Sequence, residues 1–397
     1  MQVDYDVIII GAGLAGGCLA LALAATDLRI AVVEANAREQ RYASPAGDRA
    51  LALAGGTITL LDNLGIWEAI KPQATPIAHI HVSDQGHFGK TRLSAEREGV
   101  PALGYVITAR SIEDHIANLL AQSPNITQFC PARIIGISSS TQEASVSLKQ
   151  ADQASVINAR LVVGADGGQS SVRKLLEIGQ NITDYGQTAL VTTVKTTKAH
   201  ANTAYERFTA AGPLALLPTT NGQSSVVWTR STEQAAALMA GSEADFMAQL
   251  QSCFGYRLGE LTLTAPRRAF PLSLIRAKHM QVGRVIIIGN AVHQLHPVAG
   301  QGFNLGLRDV IVLAEQLIQQ HTAGLDIGEN GFLHAYVQKR LKDHNRVIGF
   351  TDGLIKLFSN QSNILAIARN TGLTFLDHLP GAKSYLARRA MGLSVDY

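Results

Sequence analysis

The run Tyr5-Asp6-Val7-Ile8-Ile9-Ile10-Gly11-Ala12-Gly13-Leu14-Ala15-Gly16 decides the fold. Val7–Ile10 has no polar break and reads as a strand buried on both faces. Leu14–Ala25, rich in Ala and Leu, reads as a helix, and Arg29–Val33 as a second strand. The predicted unit is therefore strand, glycine turn, helix, strand. Gly11 permits the tight turn, Gly13 lets the backbone approach a pyrophosphate, and Gly16 allows close helix–strand packing. The helix start offers free N–H groups and the positive end of its dipole to phosphates. Glu34 stands 18 residues after Gly16, where a carboxylate can accept ribose hydroxyls. The motif points to an adenine dinucleotide and by itself does not separate FAD from NAD.

With 397 residues, two domains are expected. Hydrophobic residues at 46% and charged residues at 16% describe a folded chain rather than a disordered one. The net charge is +3 with no dense Lys/Arg run, so no nucleic-acid partner is expected. Cys18, Cys130 and Cys253 are far apart and form no C-x-x-C. That argues for a reducing cytoplasm and against disulfide, zinc or dithiol chemistry. Val7–Ala25 is 19 residues without a charge, long enough to suggest a membrane span. Asp4 and Asp6 precede it where a signal peptide would be positive, and glycines interrupt it, so neither span nor signal is expected. From Gly331 to the end, nine Lys/Arg face four acids, a local +5.

Further along, Ala50–Leu64 reads as a helix and Ile77–Ser83 as a strand. Ser111–Ala121 reads as a helix capped by Ser111. Arg133–Leu148 and Ser155–Val163 read as strands. Thr188–Thr197, Thr203–Thr209, Leu214–Leu217 and Ser224–Arg230 read as antiparallel strands with turns such as Asn221-Gly222. This all-β insert is the candidate roof of an active site. Ala235–Leu250 is read as helical, Arg284–Ile288 as a buried strand, Leu305–Gln320 as a helix, and the chain from Gly331 as mostly helical.

Two more constellations carry chemistry. In Gly164-Ala165-Asp166-Gly167-Gly168-Gln169-Ser170-Ser171, a strand delivers a carboxylate into a glycine turn, and the serines cap the next helix. In Gly289-Asn290-Ala291-Val292-His293-Gln294-Leu295-His296-Pro297-Val298-Ala299-Gly300-Gln301-Gly302-Phe303-Asn304, two glycine turns flank a His-Pro loop, and the second opens a helix. That helix start is a second anion site, able to stabilise charge on a reduced ring. His293 and His296 are candidates for a base. The plainer reading, a loop histidine satisfying backbone groups, is preferred for both. His79, His81 and His87 have no Cys or carboxylate at ligand spacing, so no metal site is expected.

Together, in this order, the three constellations resemble the flavoprotein aromatic hydroxylases related to p-hydroxybenzoate hydroxylase. Pro297–Asp309 resembles the ubiquinone-biosynthesis branch. Asp48-Arg49-Ala50-Leu51-Ala52-Leu53, His79–Asp84 with Gly86-His87, and Glu206-Arg207-Phe208 with Gly212-Pro213 are most similar to its 2-octaprenyl-6-methoxyphenol hydroxylases. The resemblance implies an α/β fold: a Rossmann-like FAD-binding domain, an inserted mixed or antiparallel β-sheet substrate domain, and a helical C-terminus. The expected boundaries are 1–75, 105–182 and 276–330 for the first, 76–104 and 183–275 for the second, and 331–397 for the third. Gly11, Ala12, Gly13, Ala15, Gly16 and Glu34 would hold the ADP half of FAD. Arg49 and Arg110 would lie along the pyrophosphate and ribityl chain. Asp166 and Gly167 match the second cofactor motif, and Asn290 would touch the ribityl chain. Pro297, Gly302, Phe303 and Asn304 would border the isoalloxazine. Where the wider family has Gly-Asp, this chain has Gly289-Asn290; an amide still donates and accepts hydrogen bonds.

The implied activity is hydroxylation of a polyprenylated phenol with O2 and NADPH or NADH, carrying 2-octaprenyl-6-methoxyphenol to its 1,4-benzoquinol. The alternatives are another step of that pathway, another phenol, or a non-catalytic FAD-binding subunit of a quinone-synthesis complex. A cytoplasmic protein is implied, with peripheral membrane contact through Leu354, Ile355, Leu357, Phe358 and the basic tail as one reading and simple packing as the other.

Overall fold

The computed structural model describes residues 3–37, 39–40, 48–297 and 300–358, with Gly381 and Ser384. The expected unit is present as strand Tyr5–Ile10, helix Leu14–Leu23 and strand Ile30–Val33. Tyr5–Ile10 pairs in parallel with Ile30–Val33 on one side and Gln153–Gly164 on the other. Ile126–Phe129 and Val285–Ile287 extend the parallel sheet outward. A central strand has no solvent face, and Val7, Ile8, Ile9 and Ile10 are accordingly all buried. Helix Ala109–Gln122 and helix Gln301–Thr322 pack on the glycine-turn helix.

A second sheet of nine strands lies across this unit. Its neighbours run antiparallel, except that Thr203–Thr209 pairs in parallel with His79–Asp84. Period-2 alternation gives the sheet two different faces. Leu190, Val194, Leu214, Leu216, Val226 and Trp228 point to one side. There they form a core with Phe246, Leu250 and Phe254 from helix Glu243–Phe254. Their sequence neighbours Ala189, Val191, Ala215, Leu217 and Val227 face a large cleft on the other side. Strands Gln180–Thr196 and Arg268–Ala277 pair from Gln180↔Ala277 to Val191↔Arg268, with one register shift between Asp184 and Gln187.

Several local expectations are corrected. Ala50–Leu64 is not one helix: Ala50–Leu53 is a strand paired with Tyr105–Thr108, and the helix is Gly55–Asn63. Ala and Leu favour helix, but cross-strand pairing overrides propensity here. Ser111 is not the cap of its helix. The helix is Ala109–Gln122, and the Thr108 hydroxyl accepts from the Ser111 N–H at 3.3 Å. Ala235–Leu250 is two helices, Thr232–Ala240 and Glu243–Phe254. Ser231 opens the first with a capping box, and Ser242 caps the second. Arg133–Leu148 is a hairpin of Arg133–Ser139 and Ala144–Gln150. The helix expected over Leu305–Gln320 starts a turn earlier, at Gln301. Thr203–Thr209 falls as read, and Asn221 (φ +60°) and Gly222 (φ +67°) make the hairpin turn. Among the described residues, no helix is long and apolar enough to cross a membrane. Helix Asn330–Phe358 includes Leu354, Ile355, Leu357 and Phe358, whose side chains, like most of the basic tail, lie outside the described residues.

Candidate functional site

One cleft of about 1970 Å³ runs from the glycine turn to the open face of the second sheet. At its dinucleotide end the three glycines differ in surroundings. A Cβ on Gly11, which sits at φ +101°, would meet the Ala165 carbonyl oxygen at 2.6 Å. A Cβ on Gly16 would meet the Gly11 carbonyl oxygen at 1.9 Å, so helix and turn are in backbone contact. A Cβ on Gly13 would meet nothing within 4 Å. Gly13 and Ala15 line the cleft, and no side chain caps the helix that Gly13 begins. Its amides therefore face open space, as a pyrophosphate cradle requires. Glu34 also lines the cleft. Its Oε2 accepts from the Ala12 N–H at 2.9 Å and its Oε1 from the Asn36 N–H at 2.9 Å. Each oxygen keeps a lone pair for a ribose hydroxyl.

The second constellation abuts the first. Asp166 Oδ2 accepts from the N–H groups of Ser171 (2.6 Å) and Val172 (3.1 Å). Among the described residues its buried Oδ1 has no hydrogen-bond partner, leaving an acceptor beside the cleft that a bound hydroxyl would satisfy. Arg173 ties this turn to the third constellation, donating to the Ala291 carbonyl at 2.6 Å and the Gly168 carbonyl at 2.5 Å.

Asn290, Pro297, Gly302, Phe303 and Asn304 all line the cleft. Gly300, at φ +62°, begins helix Gln301–Thr322, whose first turn carries no acidic residue. That 22-residue helix points its positive end into the cleft. Asn304 is a brace. Its Oδ1 accepts from the Ala54 N–H (3.1 Å) and the Thr57 hydroxyl (2.6 Å), and its Nδ2 donates to the carbonyls of Ala52 (3.1 Å) and Gly300 (2.9 Å). All four hydrogen-bonding positions of the amide thus go to protein. Arg49 lines the cleft, whereas Arg110 stands at the start of helix Ala109–Gln122 with its guanidinium on Asp48 at 2.8 Å.

The two histidines part company. His296 lines the cleft edge-on to Tyr185, and burial pushes its pKa down to about 4. It is neutral at pH 7 and a weaker base than an ordinary histidine. His293 is turned away from the cleft, its Nε2 3.4 Å from Asp309 Oδ2, and burial lowers its pKa. Asp309 is fully buried in a cluster the sequence did not announce. Its Oδ1 accepts from Arg340 Nε (2.7 Å) and lies 2.7 Å from His344 Nε2, while its Oδ2 accepts from the Gly289 N–H (3.1 Å). His344 and Arg340 beside it hold its carboxyl well below the usual carboxylate range, against the opposing effect of burial. His293, Asp309 and His344 are close enough to share a cation, but Arg340 already neutralises that carboxylate. Asp309 instead anchors the Gly289 turn to helix Asn330–Phe358.

Glu206 was legible only as part of a resembling motif. It lies on the cleft face of strand Thr203–Thr209 between Ala204 and Phe208. Burial pushes its carboxyl up to about 7.

Comparison with known proteins agrees with this layout. A family model described as "FAD binding domain" matches residues 4–351. The chain is 36% identical to the ubiquinone hydroxylase UbiL of Rhodospirillum rubrum, covering 98% of this chain and 89% of that one. It is 29% identical to the 3-demethoxyubiquinol 3-hydroxylase of Escherichia coli, covering 98% of each. In structure it resembles the p-nitrophenol 4-monooxygenase PnpA of Pseudomonas putida with a TM-score of 0.81, 18% identity and 100% of both chains covered.

Proposed function

The chain belongs to the FAD binding domain family, and on that premise we propose that it is a monooxygenase hydroxylating the ring of a polyprenylated phenol in ubiquinone synthesis. One observation carries the reading: a single cleft joins a dinucleotide cradle to an apolar sheet face. Gly11–Gly16 and Glu34 would hold the ADP half of FAD. Asp166, Gly167 and Asn290 would hold the ribityl end, and Pro297–Asn304 would border the isoalloxazine. Bound FAD, reduced by NADPH or NADH, supplies the electrons that divide O2 between a ring carbon and water.

The chain's own work is binding and exclusion. The uncapped start of helix Gln301–Thr322 favours negative charge beside the flavin ring. Ala189, Val191, Ala215, Leu217 and Val227 give the phenol and its tail a dry wall, which keeps water from the reacting centre. We also propose that the substrate's lipid tail brings the protein to a membrane surface through residues beyond Phe358. Arg340 is spent on Asp309 and takes no part in that charge.

The test of the main reading is turnover of a short-chain prenylated 2-methoxyphenol under ¹⁸O-labelled O2. One labelled oxygen per product ring is the expected result. A ring oxygen drawn from water, or a colourless protein that takes up no FAD, would refute it.

A further inference from the structure

We infer that Glu206 is the group that accepts the substrate's phenolic hydrogen bond and removes its proton as the ring is oxygenated. The inference rests on the hydroxylase reading above and assigns a residue within it.

The argument begins with placement. Four carboxyl side chains line the cleft: Glu34, Glu113, Asp166 and Glu206. Glu34 and Asp166 belong to the dinucleotide end, and Glu113 stands on helix Ala109–Gln122. Of these, Glu206 alone stands on the second sheet, in a largely apolar wall. In register it faces Val82 on one neighbouring strand and Ala215 on the other. Among the described residues its carboxyl makes no hydrogen bond or ion pair.

Glu206 is half-buried among apolar neighbours and adds nothing to their packing, so structure alone gives no reason for a carboxyl there. An apolar side chain would pack this wall better. A ligand hydroxyl would supply the missing partner.

The surroundings set when it is charged. Strand His79–Asp84 offers Ile80, Val82 and Asp84 along the same face, and Thr91 lies beyond on Lys90–Ser94. Gly212–Pro218 offers Ala215 and Leu217. His296, Gln301 and Phe303 line the same cleft. Arg207 and Tyr205, its neighbours in sequence, alternate to the other face of the strand. Asp84 is the one charged side chain in this set, and burial is the one cause that moves Glu206. A carboxyl raised to about 7 is half ionised near neutrality, the condition a general base needs.

The proton balance is simple. The phenolic O–H bond breaks and its proton passes to a Glu206 oxygen. The freed electron pair moves into the ring toward the carbon that takes oxygen from O2. Glu206 returns the proton to water after product leaves.

The sign of the pH effect follows. Below about pH 7 the carboxyl is protonated and cannot take a second proton; above it the carboxylate is ready.

The test compares holoenzyme with Glu206→Gln, which keeps an acceptor oxygen but is no base. The ligands are a short-chain prenylated 2-methoxyphenol and its methyl ether, which has no O–H to donate. Anaerobic binding is read from the flavin spectrum, and turnover from oxygenated product. In wild type, phenol binding should tighten several-fold from about pH 6 to about pH 8, because a charged acceptor makes the stronger hydrogen bond. The methyl ether should show no such change, and Glu206→Gln should flatten the phenol profile. Turnover in Glu206→Gln should fall by roughly 10²-fold or more with KM within about threefold, and the rise through neutral pH should vanish. FAD content and reduction by the nicotinamide donor should not change. A pH-independent wild-type affinity, or Glu206→Gln turning over within about twofold of wild type with the same pH limb, overturns the assignment. Failure of wild type to oxygenate the phenol at all overturns the parent reading and this inference with it.

Discussion

Two glycines three positions apart in one turn are required for opposite reasons. Gly16 has no room for a methyl group, since its Cβ would sit 1.9 Å from a carbonyl oxygen. Gly13 has room in the bare protein and lacks it only when a pyrophosphate lies on the helix start. Gly16→Ala should therefore lower both the thermal midpoint of the apoprotein and FAD affinity, at a cost of about 1–3 kcal/mol or more. Gly13→Ala should leave the midpoint within about a degree or two while weakening FAD binding by tenfold or more. Circular dichroism melts and FAD titration separate the two, and equal melts for both variants would contradict the account. These roles were legible in the sequence because a strand, a turn and a helix of fixed length leave the glycines few alternatives. The role of Glu206 was not, because strand Thr203–Thr209 carries a charge on each face, Glu206 on one and Arg207 on the other. The bracing role of Asn304 was not, because its partners Ala52, Ala54 and Thr57 lie about 250 residues away.

At the scale of elements, the buried carboxylate of Asp309 joins three pieces of chain. It holds the Gly289 turn, stands on helix Gln301–Thr322, and pairs with Arg340 and His344 of helix Asn330–Phe358. Asp309→Leu would take one of two carboxylate partners from the Arg340 guanidinium, which is 3% exposed, and leave it Asp343. The expected loss is about 3–5 kcal/mol in urea unfolding. Adding Arg340→Met should recover part of it, because the loss comes from a buried charge short of a partner rather than from missing volume. Strictly additive losses would show that the pair is not the coupling agent. The sequence showed both helices but not the bond between them, since an Asp and an Arg 31 positions apart carry no periodic signal. The same limit explains Ala50–Leu53. Four residues of Ala and Leu are helix formers by themselves and become a strand only because Tyr105–Thr108 offers an edge.

For the whole molecule, the two-sheet plan was legible from strand spacing and glycine turns, while the path of the last helix was not. Leu333 and Tyr336 of that helix are fully buried, so it belongs to the body of the protein. A test of membrane contact must therefore leave it in place. Full-length protein should float with anionic phospholipid vesicles, and a chain ending after Phe358 should not. Equal flotation of the two would remove the residues beyond Phe358 from the account.

The paired strands Gln180–Thr196 and Arg268–Ala277 run without a break from the nucleotide half into the sheet above the cleft. A continuous hydrogen-bonded ribbon bends where its register shifts, but it does not swivel as a loose linker would. Cargo exchange is then a matter of sliding along a fixed slot. Under the proposed function, a product leaves along that slot rather than by the two sheets parting.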